Sequence, residues 1–214
     1  MKFVTTLGAL AAIASIASAQ NFNLDFEDPA GLAAGVPTSG FGAAGGTGTW
    51  FAIGGGITSN LVNTSNVATG ASVDVTALGV LSNNTQVYAG DDLLLMGDIA
   101  DGPSLITFSG LVDGVYDVWV YAQAPDSATF LTDVTIGGNT QTVGGTWAGT
   151  YVQGTTHSFH TGVVVTGGTM SITMAVNSGF ASLNGLQIAA VPEPTTFVGL
   201  AVGAFGLLVL RKKR

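Results

Sequence analysis

Apart from its hydroxyls, this 214-residue chain has two histidines, thirteen carboxylates and no cysteine with which to do chemistry. The histidines, His157 and His160, are three apart, which on a strand puts them on opposite faces and spoils a shared zinc site. The lack of cysteine removes thiolate metal sites, disulfides and a cysteine nucleophile. No serine sits in a Gly-x-Ser-x-Gly elbow, the commonest hydrolase signature. Paired aspartates acting as acid and base, as in a polysaccharide hydrolase, are the remaining catalytic option. The sequence names no such pair, and the expectation is that the chain is not an enzyme.

Binding chemistry has more candidates. Asp25, Glu27 and Asp28 share one short segment, and Asp25 and Glu27 share a face if that segment is a strand. Hard carboxylate oxygens without basic partners suit calcium, so these three are the candidate ligands of a structural calcium; no other cofactor is expected. Asp91, Asp92, Asp98 and Asp101 form a second acidic cluster, and neither group has the spacing of an EF-hand loop. The competing reading for both is solvated surface acids. Sugars present CH faces and hydroxyls together, so they need a flat aromatic beside hydrogen-bonding groups. Trp119 and Tyr121 share a strand face with Asp117, while Trp147, like Trp50 and Tyr151, lies in a Gly/Thr-rich segment. Trp119, Tyr121 and Trp147 are therefore the candidate glycan contacts, against the alternative that Trp119 is core on a strong central strand.

The elements that must position these residues are strands. Charged residues are 8% of the chain against 32 glycines, a composition poor in solvent-facing helices and rich in turns. Phe22 to Glu27 alternates apolar and polar like a half-buried strand, and Val115 to Tyr121 is a second strong run after the turn Asp113-Gly114. Phe130 to Ile136 and Thr140 to Val143 flank Gly137-Gly138-Asn139 as a hairpin. His160 to Thr166 and Met170 to Val176 flank Gly167-Gly168 and read the same way. Leu183 to Ile188 looks like a closing strand, and Gly40 to Gly56 is a glycine-rich loop around a short strand at Thr49 to Phe51. About ten strands and no helical periodicity predict an all-β chain folded as a β-sandwich over residues 20–190.

Charge is distributed by position. All five Lys and Arg lie at the extreme ends, as Lys2, Arg211, Lys212, Lys213 and Arg214. Twelve of the thirteen carboxylates lie between Gln20 and Val191, where there is no Lys or Arg at all. That stretch has no electrostatic hold on phosphate, which excludes nucleic acid as a partner.

Both ends read as targeting segments. Lys2, an apolar run from Phe3 to Ile16 and the small-x-small triplet Ala17-Ser18-Ala19 make residues 1–19 a signal peptide, cut by signal peptidase before Gln20. At the other end, Val191-Pro192-Glu193-Pro194 holds the chain extended. Sixteen uncharged residues, 195–210, follow as a short transmembrane helix, then the basic tail Arg211-Lys212-Lys213-Arg214. Such a span is just long enough when flanking Lys and Arg snorkel, and its basic end stays cytoplasmic.

The run from Val191 to Arg214 resembles the PEP-CTERM sorting signal of Gram-negative, exopolysaccharide-producing bacteria. The resemblance implies an exosortase as partner, cutting near Pro192-Glu193-Pro194. It also implies transient residence in the inner membrane, then release or re-anchoring at the cell surface or in a biofilm-type extracellular matrix. Gly110 to Val118, with Leu183 to Ile188, also resembles the galactose-binding-like jelly roll. That likeness implies a structural calcium near the first and last strands, with Asn184 close by. The function expected is a structural or adhesive exported domain associated with exopolysaccharide, the alternative being a carbohydrate-binding module with a structural calcium.

Overall fold

The structure is a computed structural model that describes residues 20–27, 34–46, 48–76, 79–82, 87–102, 105–124 and 126–192. The signal-peptide residues Ala17 and Ala19, the acid Asp28, Glu193 and Pro194 of the sorting motif, the apolar span 195–210 and the tail Arg211 to Arg214 lie outside them.

Among the described residues, fourteen strands and one short helix follow in chain order. They are β1 (Phe22–Phe26), β2 (Phe51–Ile53), β3 (Gly56–Ser59), β4 (Ser72–Thr76), β5 (Gly79–Ser82) and α1 (Asp91–Met96). Then come β6 (Asp98–Asp101), β7 (Leu105–Ser109), β8 (Gly114–Tyr121), β9 (Leu131–Ile136) and β10 (Asn139–Gly144). Last are β11 (His157–Val165), β12 (Met170–Ser178), β13 (Ser182–Leu183) and β14 (Gly185–Ala190). One sheet runs β11-β8-β14-β1-β2 and the other β10-β9-β12-β7-β4-β3, with a small sheet β13-β6-β5 beside them. The β1–β2 pair is parallel; the other paired strands are antiparallel.

The two large sheets enclose one core, as in a β-sandwich. Phe22, Leu24 and Phe26 of β1, Val118 and Val120 of β8, and Leu186 and Ile188 of β14 face Val73, Ile106, Phe108, Val134 and Ile172 of the other sheet. Period-two alternation produces this directly: in β8, residues 116, 118 and 120 are buried in the core while 115, 117 and 119 turn outward.

Three expectations change. β1 is buried along all five residues, because it lies inside its sheet with both faces covered. The hairpin expected at Gly167-Gly168 divides. Its arms make one bridge, Thr166 to Thr169, and then enter opposite sheets, β11 beside β8 and β12 between β7 and β9. By contrast, the hairpin at Gly137-Gly138 forms as read, with φ of 58° and 81° at the two turn residues, the left-handed pair that glycine adopts without strain. The third change is a helix where none is expected. α1 has six residues, too few to show a 3.6-residue period, and it buries Leu95 and Met96 against the outside of the first sheet. Gly185 admits it, since a methyl group there would meet the Leu24 carbonyl at 2.7 Å and Leu95 Cδ1 at 2.8 Å.

Candidate binding face and sorting junction

The outer face of the five-stranded sheet holds a second cluster. Trp50, Tyr88, Leu95, Met96 and Tyr121 are buried there, with Phe41, Trp119, Trp147 and Tyr151 half-buried around them. Register explains the arrangement. Phe159 of β11 lies opposite Trp119 of β8, Trp119 opposite Gln187 of β14, and Gln187 opposite Asn23 of β1. Trp119 and Phe159 stack at 4.6 Å. Trp147 meets Tyr88 edge-on at 5.2 Å and Tyr151 at 5.7 Å, and Tyr151 meets Tyr121 at 5.6 Å.

Buried amides hold this face. The Tyr121 hydroxyl donates to Gln187 Oε1, and the Ala43 N–H donates to that hydroxyl at 2.5 Å. Gln187 Nε2 donates to Asn23 Oδ1 at 2.9 Å and its Oε1 accepts from the Ala44 N–H at 3.1 Å. The loop over the sheet is thereby strapped to two strands. Gly42, at φ 104°, lets it lie close: a methyl group there would meet Gln187 Oε1 at 2.5 Å. Nearby, Tyr88 donates to Gln123 at 3.0 Å, and Asn184 joins the Gln123 N–H to the carbonyls of Met96 and Asp98. Trp50 Nε1 and Asn23 Nδ2 are buried without a hydrogen-bond partner.

Of the three glycan candidates, Trp119 and Trp147 are half-exposed members of this belt. Tyr121 is a correction: it is fully buried with its hydroxyl engaged, so it offers no ring face to a sugar. Trp119 is not core either, because its odd position in β8 turns it outward. Sequence reasoning missed Phe41, Tyr88 and Phe159 here, together with the amides Asn23, Gln123 and Gln187. Their shared location depends on strand register and loop closure, which local patterns do not encode.

The acidic candidates fare differently. Asp25 is fully buried and neither of its oxygens has a hydrogen-bond partner. Burial first, then the charges of Glu27 and Asp98, push its carboxyl well above the usual range. Glu27 accepts from the Gly35 N–H at 2.9 Å through one oxygen, and its other oxygen is buried without a partner. The residues present fit a hard cation in part. Two inward carboxylates want positive charge, but among the described residues no three Asp, Glu or His side chains gather closely enough to hold a metal. Asn184, expected nearby, spends its side chain on backbone groups. In the second cluster, Asp91 and Asp92 form the first turn of α1 and Asp91 accepts from Thr38.

His157 and His160 take opposite faces of β11. His157 lies against Tyr121 at 5.8 Å and His160 is buried towards the core side. Burial lowers both below the ordinary histidine value, His157 to about 4.

At the other end of the sheet the fold meets the sorting segment without a linker. Ala190 is the last residue of β14, its N–H bonds Asn21 Oδ1 at 2.8 Å, and the Val191 N–H bonds the Val115 carbonyl at 2.8 Å. Val191 and Pro192 are exposed.

Residues 190–214 match the family described as the PEP-CTERM protein-sorting motif. This chain carries a PEP-CTERM tail. The motif implies an exported protein, held transiently in the membrane and processed by an exosortase. Among the described residues no helix is long and apolar enough to cross a membrane, and the span at 195–210 lies outside them. The chain matches no curated protein. Among solved structures it is similar to Bacteroides uniformis beta-glucuronidase, with TM-score 0.42 and 12% identity over 67% of this chain and 20% of that one. Bacteroides uniformis beta-glucuronidase 2 covalently bound to cyclophellitol-6-carboxylate aziridine gives the same values. The chain thus spans a fifth of those enzymes' length, and a likeness this slight carries no argument about fold or activity.

Proposed function

We propose that this chain is a non-catalytic, exported β-sandwich of jelly-roll type. An exosortase acting at Val191-Pro192-Glu193-Pro194 delivers it to the cell surface or extracellular matrix, where it associates with exopolysaccharide. The observation that carries the reading is the PEP-CTERM match beginning at Ala190, where the final strand ends. A cut beyond Val191 removes no ladder residue, so the mature domain keeps its sheet whole. The test is intact mass of the native protein in cells with and without the exosortase. A species running from Gln20 to the Pro-Glu-Pro region, present only with the enzyme, supports the proposal. A membrane-bound species ending at Arg214 in both strains overturns it.

A second reading, a carbohydrate-binding module with a structural calcium, has one observation in its favour: the buried, unpartnered carboxylate of Asp25 beside Glu27. Backbone carbonyls would have to complete the coordination shell. A calcium-dependent rise in melting temperature that is absent in Asp25→Asn supports it, and an unchanged melting temperature removes it.

A further inference from the structure

All three tryptophans and three of the four tyrosines lie on the outer face of the five-stranded sheet, and only Tyr116 joins the sandwich core. Aliphatic side chains and phenylalanines fill that core. Burial in a core rewards apolar area alone, whereas Trp and Tyr add a polar edge to a flat ring. Their segregation onto one face marks a surface for a ligand that is partly apolar and rich in hydroxyls. Four rings of the cluster remain half-exposed, Phe41, Trp119, Trp147 and Tyr151, and the half-exposed Phe159 stacks on Trp119 beside them.

Charge narrows the ligand. No Lys or Arg lies between Gln20 and Pro192, and burial keeps His157 and His160 neutral. The charges beside the belt are carboxylates. Asp92 and Asp126 act on Tyr88, and Asp92 acts on Tyr151. Asp117 stands two residues from Trp119 on the same strand face, accepting from Thr161 and from the Gly162 N–H. Uronate or sulfate groups would meet repulsion and no counter-charge, while sugar hydroxyls would find carboxylate acceptors beside aromatic faces.

We infer that the belt formed by Trp119, Phe159, Trp147 and Tyr151, with Asp92 at its edge, binds an uncharged polysaccharide. This deepens the exopolysaccharide association proposed above and rests on it, and it assigns that association to one face and one glycan class.

The test uses the full-length protein in detergent, run through native gels containing either a neutral glucan, a neutral galactomannan, the neutral fraction of the host exopolysaccharide, or polygalacturonate. Retardation by at least one neutral polymer and none by polygalacturonate is expected. The double variant Trp119→Ala/Trp147→Ala should weaken that binding by about tenfold or more. Phe159→Leu keeps an apolar side chain against Trp119 but removes a half-exposed flat ring, and should weaken binding several-fold with the melting temperature kept, which separates lost contact from lost folding. Retardation by polygalacturonate alone, silence with every neutral polymer, or unchanged binding in folded Trp variants would overturn the inference. The gel assay needs no processing of the tail, so its outcome is independent of the exosortase test and the two readings can fail separately.

Discussion

Asn21 and Ala190 are joined across the ends of the folded domain: the Ala190 N–H donates to Asn21 Oδ1 at 2.8 Å. Asn21 immediately precedes β1 and Ala190 closes β14, and these two strands pair antiparallel from Phe22–Ile188 to Asp25–Gly185. The described chain therefore enters and leaves the sandwich at adjacent points. β14 lies between β8 and β1, so neither cut exposes a new sheet edge.

Asn21→Ala should loosen this clasp without touching the core. One partly buried hydrogen bond contributes about 1 kcal/mol, which in a domain of this size is about 2–4 °C in Tm. Thermal unfolding of the processed protein checks it. The same substitution should speed amide exchange at Ala190 and Val191, measured by hydrogen exchange.

Asp25 gives a prediction with a definite sign. Its folded pKa is raised by burial first, then by Glu27 and Asp98, so the folded state holds this proton more tightly than the unfolded state. The stability tied to it is fully present below the unfolded value of about 3.9 and is lost as pH rises through the folded value. In EDTA, the stability of the wild type relative to Asp25→Asn should fall as pH rises above the ordinary carboxylate range. Urea melts across the pH range read it out. Under the calcium reading, added calcium restores the wild type at neutral pH and leaves the variant unmoved, and an unmoved wild type removes that reading.

How much of this is legible in the sequence depends on range. Val115 to Tyr121 announces a strand by alternation, and Gly137-Gly138 announces its hairpin, because both signals are local. The partner that a strand chooses is not local, and β11 and β12 part into different sheets after a turn that looks like a hairpin. Tyr121 and Trp119 share a face by parity, as read. Only the loop carrying Ala43 and Ala44 buries the first and spares the second, and no spacing rule foretells that closure. Asp25 and Glu27 are legible as a pair, whereas the charge of Asp98 acts on Asp25 from β6, a proximity that needs the tertiary fold.

Gly42→Ala should test the strap over Gln187. At φ 104° an alanine is strained, and its methyl would meet Gln187 Oε1 at 2.5 Å and the Tyr121 hydroxyl at 2.7 Å. Strain and overpacking together cost about 1–3 kcal/mol. The expected signature is local: Ala43 and Ala44 amides lose protection by hydrogen exchange while core amides such as Val118 keep theirs.

His157 sets the acid side of the stability profile. Burial depresses its folded pKa to about 4, and it lowers His160 as well. Unfolded histidine takes up its proton near 6.5, so between that value and about 4 the unfolded chain binds more protons than the folded one. The contribution of these buried neutral rings is complete above 6.5 and drains away as pH falls through the folded value. His157 also holds the Thr156 hydroxyl through Nδ1 at 2.9 Å and lies against Tyr121, so charging it disturbs the floor of the aromatic belt. Urea melts from pH 7 to pH 4 should therefore show the wild type losing stability relative to His157→Gln, a difference that leaves out the opposing contribution of Asp25. Tryptophan fluorescence of the folded wild type should change as pH falls towards about 4, because Trp119 and Trp147 belong to the cluster around Tyr121. A profile equally steep in His157→Gln would move the acid sensitivity to His160 on the other face of the strand.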